Sequence, residues 1–417
     1  MDIIDIIKLF GGLAFFLYGM NVMSSGLEKM AGGKLESALS KMTDNLFKSM
    51  ALGAGITIAI QSSSALTVML VGLVNSGIMH FGKTIGVIMG SNIGTTLTAW
   101  ITSLTGIKSD DIWMQLLKPA NFSLVFAFVG IIMIMLSKKQ KQKDIGSILV
   151  GFAVLMAGMG LMSGSMDDLS KMPEFQNMLV AFNNPILGVL VGAAFTGIIQ
   201  SSAASVAILQ SFALAGGLTY GMAIPIIMGQ NIGTCVTALI SSIGVSKNAK
   251  KVSIVHISFN IIGTVICLAI FYTVNAFVNF AFVNQNIDTF DIALVHSIFN
   301  VVTTLMLCPF CKQLEKLANF LIKDDNTEQE NLLGVLDDRL FAMPAFAISK
   351  CTAITIEMAQ LANDNINRAI SLMSNYDKKV VDKINETENM IDSYEDKLSN
   401  YLIKLSNCDL TEDENWQ

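Results

Sequence analysis

Apolar residues run along this chain in long blocks, not in the short alternation of an amphipathic sheet, and most blocks match the ~20 residues that cross a bilayer as a helix. Ile3 to Met23, Lys83 to Thr105, Pro119 to Leu136, Ile145 to Ser165, Thr219 to Ile243, Val252 to Val274 and Phe290 to Pro309 each predict a span. Two further stretches, Ser49 to Gly77 and Pro185 to Ala215, are too long for one comfortable span. Each carries a polar run at its centre, Gln61-Ser62-Ser63-Ser64 and Gln200-Ser201-Ser202-Ala203. Unwound backbone is tolerated at membrane depth only where it faces protein or water, so each stretch reads as two half-helices meeting at a polar turn, a re-entrant hairpin. Full spans in their place would keep the parity but add crossings. A lysine-bearing amphipathic stretch, Glu28 to Lys48, precedes the first hairpin.

The polar runs recur at a fixed distance. Gln61 and Gln200 are 139 residues apart, and so are the phrases Met89-Gly90-Ser91-Asn92-Ile93-Gly94-Thr95 and Met228-Gly229-Gln230-Asn231-Ile232-Gly233-Thr234. Leu13 to Ser24 resembles Phe152 to Ser163 at the same offset, so the duplication begins with the first span. An internal repeat in a hydrophobic chain is characteristic of carriers, whose sites lie at breaks in paired segments. The glycines Gly90, Gly94, Gly229 and Gly233 predict close packing together with a break in the spans that carry them. Pro225, equivalent to Gly86, predicts a kink.

Composition agrees with the pattern. Of 417 residues 52% are hydrophobic and 14% charged, with mean hydropathy +0.57, against ~25% charged in soluble domains. This is the composition of an integral membrane protein, and the net charge of −6 sits in loops and tail. The run Lys138-Lys139-Gln140-Lys141-Gln142-Lys143 marks a cytoplasmic loop. If each hairpin returns to its own side, the lysine-bearing loops 24–48, 138–144 and 246–251 fall inside and the lysine-free loop 275–289 outside. The two copies then have opposite orientation, an inverted-topology repeat. Asp2 and Asp5 carry the wrong charge for a signal peptide. The predicted organisation is an all-α membrane protein: a first repeat 1–137, a cytoplasmic linker 138–144, a second repeat 145–274, an extra span and exit segment 275–323, and a polar cytoplasmic tail 324–417. In the tail, Pro344 precedes two amphipathic helices, Ala345 to Ser374 and Tyr376 to Asn407.

The repeats offer neutral oxygens and hydrogen-bond donors: Gln61, Ser62, Ser63, Ser64, Asn92 and Thr95 in one copy, Gln200, Ser201, Ser202, Asn231 and Thr234 in the other. A helix restarting at a polar break points free N–H groups and a positive dipole end into the gap, which suits an anion. A helix that stops there leaves carbonyls, which suit a hard cation such as sodium. Small residues alone would serve helix packing, yet packing does not explain two polar phrases recurring together at one offset. The only arginines, Arg339 and Arg368, lie in the tail, which leaves no arginine clamp in the membrane and no basic patch for nucleic acid. The hairpins hold no carboxylate for a proton relay. His256 and His296, each followed by Phe-Asn, read as hydrogen-bonded structural histidines in preference to proton carriers, and Asn121 stands at the offset equivalent of Asn260. The six cysteines form no disulfide framework, and Cys308-Pro309-Phe310-Cys311 reads as an apolar helix end. The acidic run Glu386, Glu388, Asp392, Glu395, Asp396 reads as a solvated face in preference to a metal site. No nucleophile and base stand at catalytic spacing, and no enzyme activity or cofactor is expected.

The duplicated Gln-Ser-Ser with Asn-Ile-Gly-Thr resembles the type II sodium/phosphate cotransporter family over roughly residues 1–310. The resemblance implies a carrier that moves inorganic phosphate with sodium by alternating access and uses Gln61, Ser62, Ser63, Ser64, Asn92, Thr95, Gln200, Ser201, Ser202, Asn231 and Thr234 for substrate and ions. The second copy departs from the fuller motif at Ala203, so any role of the third hydroxyl belongs to Ser64 alone. The tail looks like a fragment of the PhoU-like helical domain of bacterial members, which implies a bacterial inner membrane with the C-terminus in the cytoplasm. A homodimer is left open. Rival readings are a sodium-coupled carrier of sulfate or a carboxylate, and a membrane phosphate sensor signalling through the tail.

Overall fold

Side-chain oxygens begin many of the helices, because the first N–H groups of a helix lack intrahelical partners. Asn45 accepts from Lys48 N, Asn184 from Ile186 N and Ser246 from Ala249 N. The computed structural model describes residues 3–31, 45–106, 119–169, 184–323, 336–342, 344–408 and 410, and the elements among them are helices. In chain order they are α1 Ile3–Ala31, α2 Leu46–Ile60, α3 Ser63–Asn75, α4 Phe81–Ser103, α5 Pro119–Leu136, α6 Gln140–Leu169, α7 Pro185–Ile199, α8 Ser202–Leu214, α9 Tyr220–Ser241, α10 Lys247–Val278, α11 Thr289–Leu307, α12 Cys311–Leu321, α13 Pro344–Leu372 and α14 Lys378–Ser406. Most of the amphipathic stretch Glu28 to Lys48 lies outside the described residues. Among the described residues, five helices are long and apolar enough to cross a membrane: α1, α6, α9, α10 and α11 extended by α12. α4 falls short in apolarity because it carries the polar phrase.

Glycines set how the helices lie. α1 and α6 cross in antiparallel sense, with Gly12 against Gly158, Gly19 against Gly151 and Gly26 against Ile148. Their backbones approach so closely that a Cβ built on Gly12 would lie 2.9 Å from the Gly158 carbonyl oxygen. α2 and α4 run parallel: Gly86 faces Ser49, Gly90 the Met50 carbonyl and Gly94 the Ala54 carbonyl. α7 and α9 repeat this, with Gly229 on Val189 and Gly233 on Ala193. Since α4 runs parallel to α2, the chain reverses in between, and α3 is the segment that returns it. The same holds for α8.

α4 and α9 are continuous helices, which corrects the expected break at Gly90–Thr95 and its counterpart. The glycines there serve close packing, Asn92, Thr95, Asn231 and Thr234 bond to carbonyls of their own helix, and Ser91 and Gln230 bond to Thr57 of α2 and Ser205 O of α8. Asn92 Nδ2 donates to Ile88 O at 3.1 Å, and Asn231 Nδ2 to Ile227 O at 3.0 Å. α9 continues through Pro225, which packs beside Gly188.

The two amphipathic tail helices form as α13 and α14, and the acidic run on α14 is exposed. Their core is continuous with that of the first hairpin: Leu340, Ile354, Leu398 and Leu405 are buried in the same cluster as Leu70, Val71 and Val74. α12, which forms in the stretch expected as an exit segment after the span ending at Pro309, buries Leu314 and Ala318 in that cluster. Asp337 ties the tail down. It accepts from Asn75 Nδ2 at 2.7 Å and from both Arg339 N and Arg339 Nη1, while Arg339 Nη2 reaches Ile243 O.

Candidate functional site

The two polar runs fold in the same way. Gln61 closes α2 in the left-handed region, φ 53°, and Gln200 closes α7 at φ 58°. Ser62 and Ser201 follow in extended conformation and cap the next helices, accepting from Ala65 N at 3.1 Å and Ala204 N at 3.2 Å. A left-handed non-glycine residue costs roughly 1–2 kcal/mol. Among the described residues Asn279 is the only other one, so backbone strain recurs at the motif in both copies. The result is a helix end and a helix start, whose last carbonyls and first N–H groups lack a full set of intrahelical partners, two residues apart and present twice.

The two breaks face one cavity of about 190 Å³, lined by Gln61, Ser62, Ser63, Ser64, Thr95, Thr98, Gln200, Ser201, Ser202, Ala203 and, from α1, Met20, Asn21 and Ser24. Pockets for drug-sized organic molecules are usually ~300–1,000 Å³, so this one suits a small solute. No charged side chain lines it. Eight of the eleven candidate residues are thus brought together. Asn92, Asn231 and Thr234 are not in the lining: they are buried along α4 and α9, where Thr234 Oγ1 donates to Gln230 O at 3.0 Å.

Hydrogen bonding distinguishes the copies. Thr98 Oγ1 donates to Gln61 Oε1 at 2.9 Å, and Gln61 Nε2 donates to Ile58 O at 2.7 Å, so this amide is held from both ends. Thr237 lies 139 residues after Thr98, but it reaches across to the other copy and donates to Ser64 Oγ at 3.1 Å. Thr237 Oγ1 also lies 2.8 Å from Thr234 O, and its single proton serves one of the two at a time. The side chain of Gln200 makes no hydrogen bond among the described residues. Thr98 and Thr237 share the repeat offset, so extending the motif comparison by three residues would have found them. Asn21 had no such signal, because its equivalent is Gly160.

His256 and His296 are buried between helices, as expected of structural histidines, yet the Nδ1 atom of each lacks a hydrogen-bond partner. The bonds come instead from their neighbours, Asn260 Nδ2 to His256 O and Asn300 Nδ2 to His296 O, both 2.9 Å. Thr264 on α10 lies 3.4 Å from Met228 O of α9, and Thr304 on α11 lies 3.5 Å from Met89 O of α4. In space, therefore, α11 stands to α4 as α10 stands to α9. The offset equivalence of Asn260 with Asn121 on α5 does not carry into packing, because α5 packs on α6 through Gly130 and Gly146.

The family model described as Na+/Pi-cotransporter matches the chain twice, over residues 15–164 and 164–292. The chain is 30% identical over 314 residues to the uncharacterized protein YqeW of Bacillus subtilis (strain 168), an alignment covering 74% of this chain and 96% of that one. It is 20% identical over 324 residues to the putative inorganic phosphate export protein YjbB of Escherichia coli (strain K12), covering 77% of this chain and 56% of the relative, so it spans just over half of that protein. A shorter match, 35% over 99 residues, covers 23% of the chain and 15% of sodium-dependent phosphate transport protein 2A of Rattus norvegicus. No solved structure matches the chain.

Proposed function

The chain belongs to the Na+/Pi-cotransporter family, a family of transport proteins and not of enzymes, and from that premise we propose that this multi-pass membrane protein couples sodium to the movement of inorganic phosphate by alternating access. The observation that carries the proposal is the single uncharged cavity faced by both helix breaks. Phosphate is strongly hydrated and gives up water only for donors and positive charge. Here the donors are the N–H groups opening α3 and α8 and the serine hydroxyls, and the dipole ends add partial charge. Full positive charge has to enter with the substrate. Sodium, taken by the carbonyls that end α2 and α7 and by amide and hydroxyl oxygens, supplies it. Opposite unit charges ~4 Å apart attract by about 4 kcal/mol at an effective dielectric constant of ~20, which couples the two ligands thermodynamically.

Alternating access draws support from the way the copies are arranged. The antiparallel crossing of α1 and α6, which are equivalent segments, favours repeats 1–137 and 145–274 of opposite orientation joined by a cytoplasmic linker 138–144. The reversal of the chain between α2 and α4, and between α7 and α9, favours re-entrant hairpins that each enter from one side. In this reading residues 275–323 add an extra span and exit segment, and the tail 324–417 lies in the cytoplasm of a bacterial cell. Asn92, Asn231 and Thr234 then shape the helices behind the hairpins, while the remaining candidates contact substrate or ion.

The test is uptake of labelled phosphate into proteoliposomes with an imposed sodium gradient. Wild type should accumulate phosphate, and Gln61→Ala and Gln200→Ala should each lose about 100-fold or more, ~2.7 kcal/mol, while remaining folded. Normal uptake in both variants would overturn the proposal.

A further inference from the structure

Under the 139-residue offset, each first-copy residue lining the cavity can be compared with its second-copy equivalent. Met20, Ser24, Gln61, Ser62, Ser63, Thr95 and Thr98 meet the same residue types, at Met159, Ser163, Gln200, Ser201, Ser202, Thr234 and Thr237. Two positions differ, Asn21 against Gly160 and Ser64 against Ala203. Both differences add a hydrogen-bond donor to the first copy and none to the second.

Neither difference is explained by packing. Asn21 is two residues beyond Gly19, about 200° around a helix of 3.6 residues per turn, so it points away from the crossing with α6. It is exposed and makes no hydrogen bond among the described residues. At Gly160 a Cβ would meet nothing within 4 Å, so the second copy omits the amide although there is room for it. Ser64, in turn, is primed by its neighbour. When Thr237 Oγ1 donates to Ser64 Oγ, the Ser64 proton is left to donate elsewhere, and the residue lines the cavity. The equivalent threonine of the first copy has no hydroxyl to reach at Ala203 and is used instead to hold Gln61.

The geometry points to an oxyanion seated off-centre, toward the first copy, with the Asn21 amide and the Ser64 hydroxyl as its specific donors and Thr237 as the positioning residue that aims Ser64. This rests on the phosphate-carrier reading and deepens it: the anion's side of the cavity is fixed by two residues that the repeat does not share. The second copy, with its uncommitted Gln200 amide and no extra donor, is left to the cation side.

The experiment is phosphate and sodium titration of sodium-driven uptake in proteoliposomes. Asn21→Ala places the best helix former at an exposed position, so folding is not endangered. It is expected to raise the phosphate KM about tenfold while the sodium concentration for half-maximal uptake moves less than about twofold. Thr237→Val should raise the phosphate KM in the same way, and Thr237→Ser, which keeps the hydroxyl, should restore it. The mirror substitution Gly160→Asn should leave the phosphate KM near wild type and should not rescue Asn21→Ala. An unchanged phosphate KM in Asn21→Ala and Thr237→Val, equal shifts in the phosphate and sodium parameters, or rescue by Gly160→Asn would overturn the inference. Absence of sodium-driven uptake by the wild type would instead overturn the carrier reading on which it rests.

Discussion

The two hairpins share a backbone and differ in what their side chains are bonded to. Gln61 and Gln200 have nearly the same left-handed φ, and Ser62 and Ser201 cap the next helix alike. Around that shared turn, the first hairpin has its glutamine pinned by Thr98 and its third serine contacted by Thr237, whereas the second has an alanine and a glutamine whose side chain makes no hydrogen bond among the described residues. Duplication thus supplied the scaffold, two strained turns facing one cavity. In the proposed reading, differences of one or two side chains tell an anion from a cation.

The largest effect should come from attacking what the halves have in common. Gly90→Val and Gly229→Val would drive a side chain into the Met50 and Val189 carbonyls, a clash with backbone that no rotamer relieves. Overpacking typically costs ~1–3 kcal/mol and more where backbone must move. Both variants should fail to give monodisperse protein in size-exclusion chromatography, whereas Gly55→Ala, with nothing within 4 Å, should elute as wild type. If Gly90→Val tolerates the change and Gly229→Val does not, the halves are not built alike.

A smaller effect should follow from erasing a difference. Thr98→Val leaves the Gln61 carbonyl oxygen without its donor, a loss of about 1–3 kcal/mol for a buried group. Sodium-driven kcat/KM should fall about tenfold, with recovery in Thr98→Ser. The smallest concerns the tail, which meets the first hairpin where Asp337 accepts from Asn75 and the end of α9 where Arg339 donates to Ile243 O. Asp337→Ala removes the acceptor shared by Asn75 and Arg339, so limited proteolysis within 336–342 should quicken several-fold. Uptake should change by less than about twofold if the tail is accessory. Loss of uptake with phosphate binding retained would favour a sensor that signals through this contact.

Much of this organisation was legible in the chain, for reasons that also mark where reading failed. Long apolar blocks give spans, and polar residues that no helix interior needs at that depth give the turns at Gln61 and Gln200. The phrase around Asn92 and Asn231 looked equally polar yet leaves α4 and α9 unbroken, because asparagine and threonine can bond to carbonyls four residues back. Sequence shows polarity but not whether it is already satisfied. Partnerships across the fold were out of reach for the same reason: the Thr237–Ser64 bond, the place of α11 beside α4, and the seating of Leu340 and Asp337 on the first hairpin join residues far apart in the chain. Asn21 was missed because a repeat search rewards identity, and its interest lies in having none.

We propose that the uncharged cavity holds phosphate only when a cation enters with it. Equilibrium binding of labelled phosphate to the purified protein in lipid nanodiscs, in sodium and in choline at equal ionic strength, tests this most directly. The account predicts saturable binding in sodium and at least about tenfold weaker binding in choline. Equal affinity in the two salts would contradict it.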